Sequence, residues 1–154
     1  MTRKPKGFTL IELMVVVALA AILAAMAAPN FKSFVSGQRV KTAASDFVMT
    51  AIFARSEAIK RNTDVTITSV TSGGTGWKDG WTVAVGGTSL SQQQAYTGIT
   101  FSGPASAITY KGTGRLSAAV TTMTIVGTDG SARCVAFDLS GMPKSSKSSS
   151  GTCT

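Results

Sequence analysis

Three sets of residues in this 154-residue chain have the types and spacing to do chemistry. The first is Glu12, the one charged side chain in an apolar run that covers residues 8–28 and is introduced by Lys6-Gly7-Phe8-Thr9-Leu10-Ile11. A charge at bilayer depth costs at least ~2.5 kcal/mol on insertion scales, so a carboxylate there needs either a partner or a path to the headgroups. The second is the pair Cys134 and Cys153, the only cysteines. Both follow the apolar run and so lie in an oxidising compartment if that run crosses a membrane, which makes a disulfide between them the expectation. Such a bridge would contribute on the order of 3 kcal/mol by loop entropy and would fold the Ser-rich tail, residues 145–151, back onto the rest. The third is a basic set in the last third of the chain, Lys111, Arg115, Arg133, Lys144 and Lys147, with Tyr110 adjacent.

Enzymatic chemistry is poorly served. There is no histidine, which removes imidazole bases and His-ligated metals, and two cysteines so far apart do not make a zinc site. Gly73-Gly74-Thr75-Gly76 and Lys111-Gly112-Thr113-Gly114-Arg115 lack the phosphate-loop spacing and read as turns. The acids Asp46, Glu57, Asp64, Asp79, Asp129 and Asp138 show no paired motif. No enzyme activity, metal or cofactor is expected.

The elements that must position these groups follow from hydropathy. Residues 8–28 number 21, and as a helix they reach roughly 31 Å, the thickness of a bilayer core. Arg3, Lys4 and Lys6 precede them without an acid, so the positive-inside rule leaves the N-terminus cytoplasmic and carries the bulk of the chain across the membrane to the extracytoplasmic side. Ala24-Ala25-Met26-Ala27-Ala28 could be taken for a signal-cleavage site, but Glu12 and the helical pattern that continues beyond argue that the span is retained. Pro29 marks an expected interruption where the helix leaves the bilayer, and Gly37 a second weak point. Helical spacing then resumes through Val40, Ala44, Phe47, Ala51, Ala54 and Ala58, with Val48, Ile52 and Ile59 widening the stripe.

Past Asn62 the composition changes to short alternating runs: Val65-Thr66-Ile67-Thr68, Trp81-Thr82-Val83-Ala84-Val85, Ile99-Thr100-Phe101, Met123-Thr124-Ile125-Val126 and Cys134-Val135-Ala136-Phe137, separated by Gly-rich turns. Trp77 and Trp81 read as core aromatics. The expected fold is α+β: a long N-terminal helix, membrane-spanning in its first half, packed against antiparallel β-sheet. The expected organisation is a leader at 1–7, a span at 8–29, an amphipathic continuation at 30–61 and a β-rich globular part at 62–154.

Gly7-Phe8-Thr9-Leu10-Ile11-Glu12, with a basic leader before it, an apolar helix after it and Pro29, resembles the N-terminus of type IV pilins and type II secretion pseudopilins. The resemblance implies that a prepilin peptidase cuts between Gly7 and Phe8 on the cytoplasmic side and N-methylates Phe8. It also implies that Glu12 meets the N-terminal amine of a neighbouring subunit; snorkelling into the headgroups is the alternative. Further along, Ala54-Arg55-Ser56-Glu57-Ala58-Ile59-Lys60-Arg61-Asn62, Gly76-Trp77, Gly80-Trp81 and Arg133-Cys134-Val135 before Ser140-Gly141 are similar to the GspH/FimT class of minor pilins and pseudopilins. A tethered terminal loop looks more like minor pilins of the FimU/FimT kind than like secretion pseudopilins.

The function implied is that of a pilin-like minor subunit that primes, caps or enters a type IV pilus. Its partners would be other minor and major pilins, prepilin peptidase and the inner membrane. Two alternatives stand beside it. One is a minor pseudopilin of a type II secretion system. The other is a pilin that binds double-stranded DNA for uptake, since the part outside leader and span keeps twelve basic against six acidic residues and Gly/Ser-rich backbone would let the five basic side chains follow phosphates.

Overall fold

The structure, a computed structural model, describes residues 7–105, 107–138, 140–148 and 151–153, with the backbone alone for 27–30. The chain divides into two units, Met1–Phe34 and Val35–Thr154. Helix α1, Leu10–Arg61, belongs to both. In the first unit its described side chains are apolar and exposed, among them Leu10, Ile11, Val15, Leu19 and Leu23, the pattern of a helix that needs an apolar surrounding on every side. Taken separately, neither Leu10–Met26 nor Phe31–Arg61 is long and apolar enough to cross a membrane; together they meet that requirement by length and composition alone.

In the second unit α1 buries one stripe: Val40, Ala43, Ala44, Phe47, Ala51, Ala54 and Ala58 are at most 1% exposed. Alanines at three- and four-residue spacing let strands approach the helix closely, and Phe47 fills the space between. The helix stops at Asn62, whose positive φ of 50° lets Thr63 N–H reach Ala58 O and Asn62 N–H reach Ile59 O (both 3.2 Å). This pairing is the Schellman arrangement, with asparagine taking the left-handed position. Gly37 does not interrupt the helix, because a glycine lowers helix propensity without removing a hydrogen bond. At Pro29, where an interruption was expected, the helix runs on without a break; the side chain of Pro29 lies outside the described residues.

Eight strands follow: β1 Val65–Ser69, β2 Trp81–Val85, β3 Thr88–Gln93, β4 Ile99–Ser102, β5 Ile108–Tyr110, β6 Met123–Gly127, β7 Ala132–Phe137 and β8 Pro143–Ser148. They make two antiparallel four-stranded sheets, ordered β3-β2-β1-β5 and β4-β6-β7-β8. The fold is thus α+β and pilin-like, a long helix with two antiparallel sheets. Three strands, β3, β5 and β8, were not expected from the sequence. The Ser-rich tail in particular is not a loop: most of it is β8, paired to β7 from Phe137↔Pro143 to Ala132↔Ser148. On the helix, Ile52 (38% exposed) and Ile59 (50%) do not widen the buried stripe.

The core is aromatic. Phe47 meets Trp77, Trp81 and Phe137 edge-on at 5.4, 5.1 and 6.2 Å between ring centres. Each buried indole has an acceptor, Pro104 O for Trp77 (2.9 Å) and Thr50 Oγ1 for Trp81 (3.0 Å), so burial leaves no N–H stranded.

Candidate functional site

At the N-terminus Gly7, Phe8 and Thr9 precede the helix in irregular backbone. Among the described residues nothing lies within 4 Å of the space a Gly7 side chain would take, and Phe8 is 85% exposed. Gly7 and Phe8, which flank the expected cleavage bond, are thus both exposed among the described residues. Two residues on, Thr9 and Glu12 cap the helix. Glu12 Oε2 accepts from Thr9 N–H (2.9 Å) and Thr9 Oγ1–H (3.0 Å), while Glu12 N–H donates to Thr9 Oγ1 (3.3 Å). This is the capping box, Thr-x-x-Glu, in which each side chain satisfies the other residue's backbone donor. The spacing was legible, yet sequence reasoning gave Glu12 only an intersubunit or headgroup role. The carboxylate has an intrachain role as well, and its other oxygen, Oε1, makes none of these bonds.

Cys134 and Cys153 form the disulfide, with Cα atoms 5.7 Å apart. Cys134 stands on β7 opposite Ser146 of β8, and Ser148 Oγ at the end of β8 donates to Thr152 O (2.7 Å). The bridge therefore spans the end of an edge strand instead of tethering a loose tail.

The five basic residues do not make one patch. Arg133 and Lys147 face each other directly across β7 and β8, near the hairpin turn at 128–131. Lys144 is three residues from Lys147, roughly 10 Å along the strand and on its other face, close enough to Asp138 to lower that carboxyl's pKa. Lys111 and Arg115 close a turn after β5, with Lys111 N–H donating to Arg115 O (2.8 Å). That turn is seated on α1 by Arg55, which donates Nε–H to Gly114 O (2.9 Å) and reaches Met142 Sδ (3.0 Å). Tyr110 O–H donates to Gly141 O (2.8 Å), which ties the same turn to the one that opens β8. Lys111, Arg115 and Lys144 thus share one end of the second unit, and Arg133 with Lys147 another. A groove of about 790 Å³, lined by Arg115, Leu116, Val120, Phe137 and Asp138 among others, opens at the first end. Tyr110 is fully buried and offers no stacking face, and β8 is a strand instead of flexible backbone.

One polar cluster was foreshadowed in the sequence only by its Asp129-Gly130 turn, with nothing to mark Ser36 as its partner. Among the described residues Ser36 is the only buried polar one, at 5% exposure, and its Oγ–H donates to Asp129 Oδ1 (2.7 Å). Asp129 also accepts from Ser131 Oγ–H (2.7 Å) and N–H (3.2 Å). These bonds to its ionised form hold the carboxyl at a pKa of about 2. A side chain at Gly127 would run into Ser36 Oγ (2.5 Å) and Asp129 Oδ1 (2.7 Å), so any larger residue there would have to displace this cluster.

A helix headed by an exposed Gly-Phe pair and a capping glutamate, followed by two antiparallel sheets, defines the chain as a pilin-like subunit. Residues 2–28 match the prokaryotic N-terminal methylation motif, and residues 43–141 match the family described as type II transport protein GspH. The chain belongs to the GspH family, within the type IV minor pilin and GspH-like class. Two crystal structures of the type IV minor pilin FimU from Pseudomonas aeruginosa share the fold. One has a TM-score of 0.64 at 18% identity, covering 77% of this chain and 99% of that one. The other has a TM-score of 0.61 at 20% identity, covering 73% and 99%. Among curated proteins, none matches the sequence significantly.

Proposed function

We propose that this chain is a minor pilin of a type IV pilus, stored in the inner membrane with its N-terminus cytoplasmic and its C-terminus periplasmic. Residues 1–7 are its leader, 8–29 its span and assembly helix, 30–61 the continuation and 62–154 the partner-binding part. Prepilin peptidase removes the leader after Gly7 and methylates Phe8, and the subunit joins other minor and major pilins to prime or cap a filament. Its work is assembly, and no catalytic step is assigned. The observation that carries this reading is the exposed Gly7–Phe8 pair immediately outside a helix whose first turn holds Glu12.

The test is mass spectrometry of sheared filaments together with a Glu12→Ala variant. The mature chain should begin at N-methylated Phe8, and Glu12→Ala should remain in the membrane while its share in filaments falls severalfold. A full-length chain in filaments, or normal incorporation of the variant, would overturn the reading. Loss of protein secretion with intact pili in a deletion strain would move the subunit to a type II secretion pseudopilus.

A second reading, DNA binding, is favoured by Arg133 and Lys147. Like charges directly opposite on neighbouring strands are unfavourable, and among the described residues neither takes part in an ion pair. A phosphate between them would. Binding of the detergent-solubilised chain to double-stranded DNA should weaken with salt by roughly 0.9 log units per phosphate contacted, per tenfold change in salt. Arg133→Ala with Lys147→Ala should reduce that slope by more than one contact. Unchanged binding and slope in this double variant would remove the site.

A further inference from the structure

The strands at the borders of the two sheets are β3 and β5 in one, β4 and β8 in the other. The outer side of β5 is taken by the Tyr110↔Leu116 bridge and by Ser117 N–H on Thr109 O (2.9 Å). Next to β4, Gly103 N–H donates to Gly74 O (2.9 Å). β8 begins with Pro143 and carries Lys144 and Lys147, the proline and charges that keep an edge from pairing. β3, Thr88-Ser89-Leu90-Ser91-Gln92-Gln93, has neither. Among the described residues its backbone bonds only to β2. Its one irregularity is Leu90, an extra residue between the pairs Ala84↔Ser89 and Val83↔Ser91, and such a bulge turns an edge away from pairing. The half of β3 that stays regular is Ser91 to Gln93, opposite Val83 to Trp81.

That half borders a groove. Ser91 and Gln93 pair with Val83 and Trp81, both buried, so their side chains share the core face of the sheet. From α1, Asp46, Met49, Thr50 and Phe53 complete a groove of about 310 Å³. Met49 is 65% and Phe53 39% exposed. Asp46 accepts from Tyr96 O–H (2.7 Å), a neutral donor that leaves its charge in place, and it takes part in no ion pair among the described residues. An uncharged edge offers main-chain partners to an extended chain, and every second side chain of such a chain falls on the groove side. Exposed Met49 and Phe53 suit an apolar side chain or the methylene stem of a lysine there, and the Asp46 carboxylate suits a cation.

We propose that Ser91 to Gln93 accept a short extended segment of a different pilin subunit, added beside β3 as one more strand of that sheet. Of its alternate side chains, a basic one reaches Asp46 and an apolar one covers Met49 and Phe53. Pairing of β3 with β3 of a second copy does not meet these needs, since that strand brings no cation to Asp46. A subunit that primes or caps a filament meets unlike neighbours, and the proposal rests on that reading.

The test uses the full-length chain in assembling cells, with a photo-crosslinking amino acid in place of Met49. Mass spectrometry of membranes and sheared filaments identifies the partner and the cross-linked peptide. The expected result is an adduct on a strand of another pilin subunit, with a lysine or arginine at an alternate position from an apolar residue. Asp46→Asn, which keeps an acceptor for Tyr96, should lower the yield about fivefold, as for one partly exposed ion pair. Ser91→Lys, which sets a charge on the edge, should remove the adduct. Asp46→Lys should regain it when the partner's basic residue is replaced by aspartate. Adducts on a second copy, on a helix or on a protein that is not a pilin would overturn the proposal, as would a yield indifferent to both variants or no adduct from a chain that is cleaved and incorporated; each leaves the filament reading standing. A chain that is never cleaved or incorporated would sink the filament reading and this proposal with it.

Discussion

Asp129 and Glu12 illustrate how single side chains fix local backbone in this chain. Each is a carboxylate accepting from a hydroxyl and a backbone N–H, and each holds a turn in place. For Asp129 the consequence is a pH dependence. Its folded pKa of about 2 lies below the ordinary aspartate value, so its contribution is fully present above about pH 4 and is lost as pH falls toward about 2. Asp138 is shifted in the same direction, chiefly by the Ser140 hydroxyl bond and then by the Met142 N–H, and adds to the effect. Thermal unfolding between about pH 6 and about pH 2 should therefore show Asp129→Asn less stable than the parent at the upper end, with the gap closing on acidification. A gap that stays constant would show that the carboxylate does not titrate through this cluster. Asp129-Gly130 was legible as a turn from residue type, and Thr9-x-x-Glu12 fits the capping template. Ser36 was not legible, because a serine within a helix reads as solvent-facing until the turn that buries it is known.

Among the elements, those with alternating apolar residues were readable and those without were not. β1, β2, β4, β6 and β7 each place two or more apolar side chains in the core, so period-two alternation marks them. β5 is only three residues long, and β3 and β8 are built largely of Ser, Thr, Gln and Lys, types that carry no strand pattern of their own. Such strands are imposed by their neighbours. β8 shows this most clearly: four of its six residues are exposed, it sets Lys147 against Arg133, and the Cys134–Cys153 bridge closes beside it. Breaking that bridge with Cys153→Ser should lower stability by about 3 kcal/mol. It should also speed amide exchange in β8 and along the newly bare edge of β7 while leaving β1 and β2 protected. Uniform loss of protection across both sheets would mean that β8 is integral to the cooperative core. The same reasoning explains the helix: the spacing of Val40, Phe47 and the alanines locates its buried face, but Ile52 and Ile59 stay outside because neither sheet extends over them, a property of the sheets and not of the helix sequence.

Over the whole molecule, the division at Phe34 and Val35 separates two kinds of stability. Every member of the buried core cluster lies between Val40 and Val135, so the second unit contains its own hydrophobic driving force, whereas the exposed apolar side chains of residues 10–26 have none within the chain and depend on a membrane or on other helices. A chain beginning at Val35 should accordingly be soluble without detergent, unfold in one cooperative transition and keep the melting temperature of the full-length protein's globular part. A chain beginning at Thr42 should not. It lacks Val40, worth about 1.5–3 kcal/mol when fully buried, and it also lacks Ser36, which leaves Asp129 without its bond from the helix. Comparing the two truncations by calorimetry decides whether the helix from Val35 onward is structural to the globular part or merely attached to it. If both melt alike, the first turns of that segment belong to the assembly helix, and the Ser36–Asp129 contact is not the point at which the fold takes hold of it.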